Sequence, residues 1–276
     1  MALEARELSR KSEIIFGVGP ALVNAGDANE IEELSSRASG QLVDVTTILA
    51  HLRAANLDPG ALVEISYVTA QLGEDLSLIR SVGLDGIAAA DQKRRAISET
   101  LAAYRQFGNI WRPRFADLNT QIVRLQRAMT SADVGPEERR AALDQFDHAM
   151  IALLALDQMQ REAGNAFELI NRAANTSDPV EIERLAAQAQ RSIRAMDGLV
   201  SDFDPDISLE LSEPLRSLHD TIFGDRSIFS WIRKAMAAKA ESRRLIAENE
   251  ALSARLKTAV DRLVAASLDE SDNAIA

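Results

Sequence analysis

The side chains able to bind metals or carry acid–base catalysis are few and scattered. His51, His148 and His219 are the three histidines of the chain, and none stands in an H-E-x-x-H or Cys/His spacing that would hold zinc. Cysteine is absent, which removes thiolate nucleophiles and Cys-ligated zinc. There is no G-x-S-x-G elbow, phosphate-binding glycine loop or kinase ATP-site signature. The Gly17 and Gly19 pair lacks the spacing and the strand of a dinucleotide-binding turn and reads as a local bend. Paired Glu-x-x-His motifs, which a helical metal-carboxylate enzyme needs on facing helices, are missing too. The sequence therefore predicts no catalytic residue, no cofactor and no metal, and the chain is not expected to be an enzyme.

Two clusters carry other chemistry. Asp202, Asp204, Asp206 and Glu213 fall at the first, third, fifth and twelfth places of an EF-hand loop, where oxygen ligands would surround Ca²⁺. Ile207 stands where that loop needs glycine and Pro205 stiffens it, so an acidic surface loop over Asp202 to Glu213 is the plainer expectation. The second cluster runs from Tyr104 to Arg114 and gathers aromatic and basic side chains in a chain with only 4% aromatics. Pro113 frees the carbonyl of Asn109 and predicts a kink, while Gly108 leaves space beside Trp111. Tyr104, Trp111, Arg112 and Arg114 are the candidate ligand-binding residues, with a small acidic ligand held by Arg112 or Arg114. A packed Trp with two solvated arginines is the competing reading. Trp231, Arg233 and Lys234 form a lesser cluster in which Trp231 reads as core.

The elements that position these residues are helices. The 276 residues are 46% apolar, with 13 Gly and 7 Pro, enough to bury a core and poor in helix breakers. The formal net charge of −11 argues against nucleic acid and anionic membrane surfaces as partners. No run of 18 or more apolar residues occurs, and the start at Met1 lacks the pattern of a signal peptide.

Helical periodicity predicts a first helix over Leu3–Asn24, bent near Gly17, Gly19 and Pro20, and a second over Asn29–Asn56 with Ile31, Leu34, Ala38, Leu42, Val45, Leu49 and Leu52 on one face. Leu57-Asp58-Pro59-Gly60 opens a third, which ends near Val82 at a turn over Gly83-Leu84-Asp85-Gly86. A fourth carries a 3.5-residue seam of Ile97, Leu101, Tyr104, Gly108, Trp111, Phe115, Leu118, Ile122, Leu125 and Met129. That seam spans roughly 48 Å at 1.5 Å per residue and predicts an elongated molecule.

A fifth helix begins at Gly135-Pro136, and its stretch from Ala149 to Leu156 is expected to be buried on most sides. A sixth starts at Asp178-Pro179 with Ile182, Leu185, Ala189, Ile193, Met196 and Val200 inward. A short helix over Leu215–Phe223 precedes a last one over Ser227–Leu268. In that last seam Asn249, Leu252 and Leu256 are the candidates for dimerisation and register, since a buried Asn fixes register at some cost in stability.

The stretch from Leu218 through Gly224-Asp225 and Ile228-Phe229-Ser230-Trp231, running on through Glu248-Asn249-Glu250-Ala251-Leu252 to Val264, resembles the end of the periplasmic sensor region of TorS-type hybrid sensor histidine kinases. Gly19-Pro20-Ala21-Leu22 with Glu30-Ile31-Glu32-Glu33-Leu34 is similar to the first helical hairpin of that family. The resemblance, which extends to the helical bimodular sensor domains of chemoreceptors, implies an all-α fold of two stacked four-helix bundles sharing long helices. Residues 1–84 with 225–276 would form a membrane-proximal bundle and 85–224 a membrane-distal one.

It further implies a homodimer in the periplasm, attached to the inner membrane by flanking spans outside this sequence, with the kinase of the parent receptor elsewhere. The signal would arrive through a periplasmic binding protein such as TorT carrying trimethylamine N-oxide. The chemoreceptor relatives imply direct binding of a small molecule instead. Either input would be transmitted by helix rearrangement. The alternative is a cytoplasmic helical scaffold or adaptor whose seams are protein interfaces and which takes no small-molecule ligand.

Overall fold

The computed structural model describes residues 2–54, 58–203 and 205–275, with side chains at 3–54, 58–203 and 205–268. Met1, Asn56, Leu57 and Asp204, used in the sequence reading, lie outside the described residues. The described elements are seven α-helices and one 3-10 turn: α1 (Ala2–Asn24), α2 (Ala28–Ala54), α3 (Pro59–Thr130), α4 (Pro136–Asn175), α5 (Pro179–Leu199), a turn at Val200–Asp202, α6 (Pro205–Ile222) and α7 (Ile228–Ile275). The chain is all-α, with no strand among the described residues. No helix among them is long and apolar enough to cross a membrane.

Helix starts follow from short acidic side chains that satisfy free backbone donors. Asp58 Oδ1 accepts from the amides of Gly60 and Ala61, both at 3.1 Å, and Pro59 supplies the first helical φ of α3. Asp178 does the same for α5, accepting from Val180 N–H at 2.9 Å ahead of Pro179. At α2 the capping is reciprocal: Asp27 accepts from Glu30 N–H at 2.9 Å, and the Glu30 carboxylate accepts from Gly26 N–H at 2.7 Å. Gly224, with φ +84°, makes the turn between α6 and α7, a conformation open to glycine at little cost.

The chain divides into two compact units, Met1–Ala89 with Lys234–Ala276, and Ala90–Arg233. In the first, α1, α2, the first part of α3 and most of α7 surround a core that includes Leu8, Ile15, Val45, Leu49, Ile65, Leu72, Leu256 and Leu263. Neighbours run antiparallel, as contacts of Lys11 with Asp44, Arg80 with Glu32 and Arg255 with Glu64 show. In the second unit the rest of α3 packs with α4, α5 and α6. Their antiparallel order is fixed by Lys93 donating to Ala174 O, Trp111 donating to Leu156 O and Arg114 pairing with Glu210.

Three sequence expectations are corrected. Residues 83–86 do not turn but lie within the 72-residue helix α3. Their glycines serve close packing, since a Cβ on Gly83 would stand 3.0 Å from Ile31 Cδ1 and one on Gly86 3.4 Å from Ala238 Cβ. The acidic loop is not a loop, because α6 begins at Pro205 and takes in Asp206 and Glu213. Ile207, Leu211, Leu215 and Leu218 recur at helical spacing and are buried, so tertiary burial extends the helix back to the proline. Asp206 and Glu213 are then about 10 Å apart along a helix axis, which dismantles the EF-hand spacing.

The third correction covers the exposed parts of the proposed faces. In α3 the fully buried stripe is Ala96, Thr100, Ala103 and Phe107, one position away from the expected Ile97, Leu101, Tyr104 and Gly108, which are half-buried. In α4, Ile151 and Leu154 are 53% and 62% exposed, while Ala149, Ala152 and Ala155 face inward. In both helices alanine marks the closest approach, and the larger side chains stand on the shoulders.

The contact of α1 with α7 rests on Gly19, where a Cβ would come within 2.6 Å of Asn249 Oδ1. Gly19→Ala is expected to destabilise by about 1–3 kcal/mol in urea unfolding. In an Asn249→Ala background the same change should be neutral or stabilising, because Ala exceeds Gly in a helix by about 1 kcal/mol. Equal effects in both backgrounds would refute the contact.

Candidate functional site

Gly108 sits inside α3 with open space above it, since a Cβ there would meet nothing within 4 Å. A helical glycine costs about 1 kcal/mol relative to alanine, and no neighbour requires this one. Over it lies a cavity of about 260 Å³ lined by Tyr104, Arg105, Phe107, Trp111 and Arg112 of α3, with Gln160 of α4. The helix continues through Pro113.

The aromatic walls are fixed from behind. Trp111 Nε1–H donates to Leu156 O at 3.0 Å and the indole stacks on Phe115 at 5.2 Å between ring centroids. Tyr104 stacks on Phe167 at 5.2 Å with the rings 8° from parallel, and Phe107 is fully buried. Each ring is thus held by α4 or by its own helix, so the walls are preformed.

The candidate basic residues separate. Arg114 is committed to Glu210 of α6, its Nε donating to one carboxylate oxygen at 3.0 Å and its Nη2 to the other. This pairing holds the Glu210 carboxyl below the usual carboxylate range, and Arg114 does not line the cavity. Arg112 does line it, and so does Arg105, which the sequence reading passed over. Neither has an ion pair or hydrogen bond among the described residues. The signal available in the sequence was the seven-residue spacing of Arg105 and Arg112, two turns apart on one face.

The remaining candidates lie in the first unit. Asn249 is 1% exposed and Leu256 0%, with Leu252 half-buried. A side chain already enclosed by its own chain offers no surface to a second copy, so the contact Asn249 makes is with α1 of the same molecule. Among the described residues its Nδ2 has no hydrogen-bond partner, and neither do Ser253 Oγ, Thr69 Oγ1 or Asp75 Oδ2. In the second unit Trp231 Nε1–H donates to Arg226 O at 3.0 Å and Arg233 pairs with Glu183 at 2.9 Å. No cluster of three or more metal-ligating side chains occurs among the described residues.

Burial pushes the Asp75 carboxyl upward, with Glu248 adding to the effect and Arg244 opposing it. An acid whose folded pKa is raised weakens the fold where it is ionised. That penalty is full at neutral pH and vanishes below the unfolded value of about 3.8, where both states are protonated. Asp75→Asn should therefore raise the melting temperature by a few degrees at pH 7 and leave it unchanged near pH 3, a pattern that scanning calorimetry resolves.

No family model matches the chain, and no curated protein matches its sequence. Solved structures of the same fold include the TorS sensor domain in complex with TorT in the presence of TMAO, at a TM-score of 0.75 and 18% identity, covering 96% of this chain and 98% of that one. The TorS sensor domain of a V. parahaemolyticus histidine kinase sensor follows at 0.57 and 16%, covering 96% and 99%. With coverage this complete on both sides, the chain has, from end to end, the fold of TorS sensor domains.

Proposed function

We propose that this chain is the periplasmic sensor region of a membrane-bound histidine kinase, acting as a homodimer and receiving its signal through a periplasmic binding protein of the TorT kind. The observation that carries the reading is the fold match over 96% of the chain to a sensor domain solved with TorT. One further feature supports it: α1 and most of α7 lie in the same four-helix unit, which suits a segment held between two membrane spans.

The mechanism is mechanical. A partner that binds one packing of the helices more tightly than another shifts the population toward it, and α3 and α7, each contributing to both units, are the elements through which such a shift would pass. Residues 90–233 would form the membrane-distal unit and residues 1–89 with 234–276 the membrane-proximal one. On this reading α4 presents Leu143, Ile151 and Leu154, all about half-exposed or more, as apolar surface for the partner.

In spheroplasts carrying the complete parent protein, protease added outside is expected to cut within this segment. Protection in intact spheroplasts, with cleavage only after lysis, would overturn the reading in favour of a cytoplasmic scaffold. Sedimentation of the purified chain with the binding protein of the same organism, in the presence of its ligand, should give a complex that Ile151→Asp and Leu154→Asp together abolish without unfolding the chain.

A further inference from the structure

Building on the reading of the chain as one half of a homodimeric receptor, we infer that two copies meet through the outer face of α2 and the start of α3, with their symmetry axis running along α2. The exposed positions of α2 at coiled-coil spacing are Ser36, Gly40, Val43, Thr47, Ala50 and Ala54, alternating steps of four and three. None is charged. The exposed series of the same spacing on α7 of this unit, Arg243, Ala247, Glu250, Ala254, Lys257 and Asp261, carries four charges. An outward helix face is ordinarily charged or polar, and 26% of the residues in this chain are charged, so solvation alone does not account for the α2 stripe.

Three observations show that the face is built to receive something. Between α2 and α3 it opens into a groove of about 720 Å³ lined by Val43, Ala50, Thr69 and Ala70 among others. Thr69 is 6% exposed and its Oγ1 has no hydrogen-bond partner among the described residues. Thr46, Thr47 and Ser66 beside it each donate to the carbonyl four residues back. A buried hydroxyl left unpaired is costly, and the groove is the side from which a partner group reaches it. Gly40 has nothing within 4 Å of a Cβ, so no contact in its own unit calls for a residue of such low helix propensity. Close approach by another backbone does call for it.

Symmetry selects the occupant. Two receptor segments anchored in one membrane stand the same way up, so each residue beside their two-fold axis faces its own counterpart. Like charges brought together in this way are strongly unfavourable, and the axis must therefore follow a stripe without charge. A binding protein of different sequence imposes no such condition, since its charges can be matched to those it meets. The patch is also self-complementary, because Val43, Val63 and Tyr67 project from it, each more than half exposed, beside the recess that a second copy of them would enter. On α3 the uncharged run Val63, Tyr67 and Ala70 ends at Glu74, which bounds the contact. From Ser36 to Ala54 the face is about 27 Å long and two helices wide, roughly 550 Å² in projection, which approaches the roughly 800 Å² per partner of a stable complex.

Cysteine is absent from the chain, so single cysteines report their own position. Under mild oxidation Val43→Cys, Thr47→Cys and Ala50→Cys should give disulfide-linked dimers, because only residues beside the axis bring their Cα atoms within about 7 Å of their counterparts. Ala247→Cys and Ala254→Cys on α7 should not. In sedimentation equilibrium of the full chain, Gly40→Glu should weaken the dimer by at least about tenfold. Its helical content should be unchanged, since the position is open. A chain that stays monomeric at about 0.1 mM, a dimer indifferent to Gly40→Glu, or crosslinks through α7 in place of α2 would each overturn the inference. Loss of binding-protein association by Gly40→Glu with the dimer intact would assign the face to that protein instead. Protease access in spheroplasts decides the location of the segment independently, so the receptor reading and this interface fail separately.

Discussion

One helix has to satisfy two cores. Helix α3 is 72 residues long and belongs to both compact units, so its buried stripe must stay in phase from end to end. Within each part the buried positions, Ile65, Val68, Leu72, Leu76 and Ile79 and then Ala96, Thr100, Ala103 and Phe107, are three or four residues apart, which keeps one face inward. A turn at residues 83–86 would have removed that constraint. The glycines there are instead fitted to Ile31 and Ala238, and the backbone hydrogen bonds of a continuous helix outweigh their poor helix propensity.

Small residues set where helices meet. Gly19 admits Asn249, Gly83 admits Ile31, and Ala96 and Ala103 bring the buried face of α3 close to its neighbours. Such contacts gain from dispersion at short range, and they are unforgiving of added volume. Asn249 is the exception in chemistry, since its Nδ2 is buried without a partner among the described residues. Unpaired buried donors weaken a fold.

Electrostatics and packing divide the cluster around Trp111 into two parts with different roles. Arg114 and Glu210 tie α3 to α6, while Arg105 and Arg112 line a cavity and have no ion pair among the described residues. Residues close in sequence therefore end in an ion pair in one case and on a cavity rim in the other, because a helix turns neighbouring side chains about 100° apart.

The sequence by itself determined the helical class, the starts at Asp58-Pro59 and Asp178-Pro179, the inward faces of α2, α5 and α7, and the aromatic and basic composition of the candidate site. These are local matters of capping, spacing and propensity. Tertiary structure decided the rest. It alone showed that Gly83 and Gly86 are packing contacts, since a turn glycine and a contact glycine look alike until the opposing helix is in place. Only packing shifted the buried stripe of α3 from Ile97 and Leu101 to Ala96 and Thr100, because depth of burial depends on how closely a neighbour approaches. The removal of Arg114 from the cavity rim waited on Glu210, which lies 96 positions further along the chain, and no local rule connects residues at that separation.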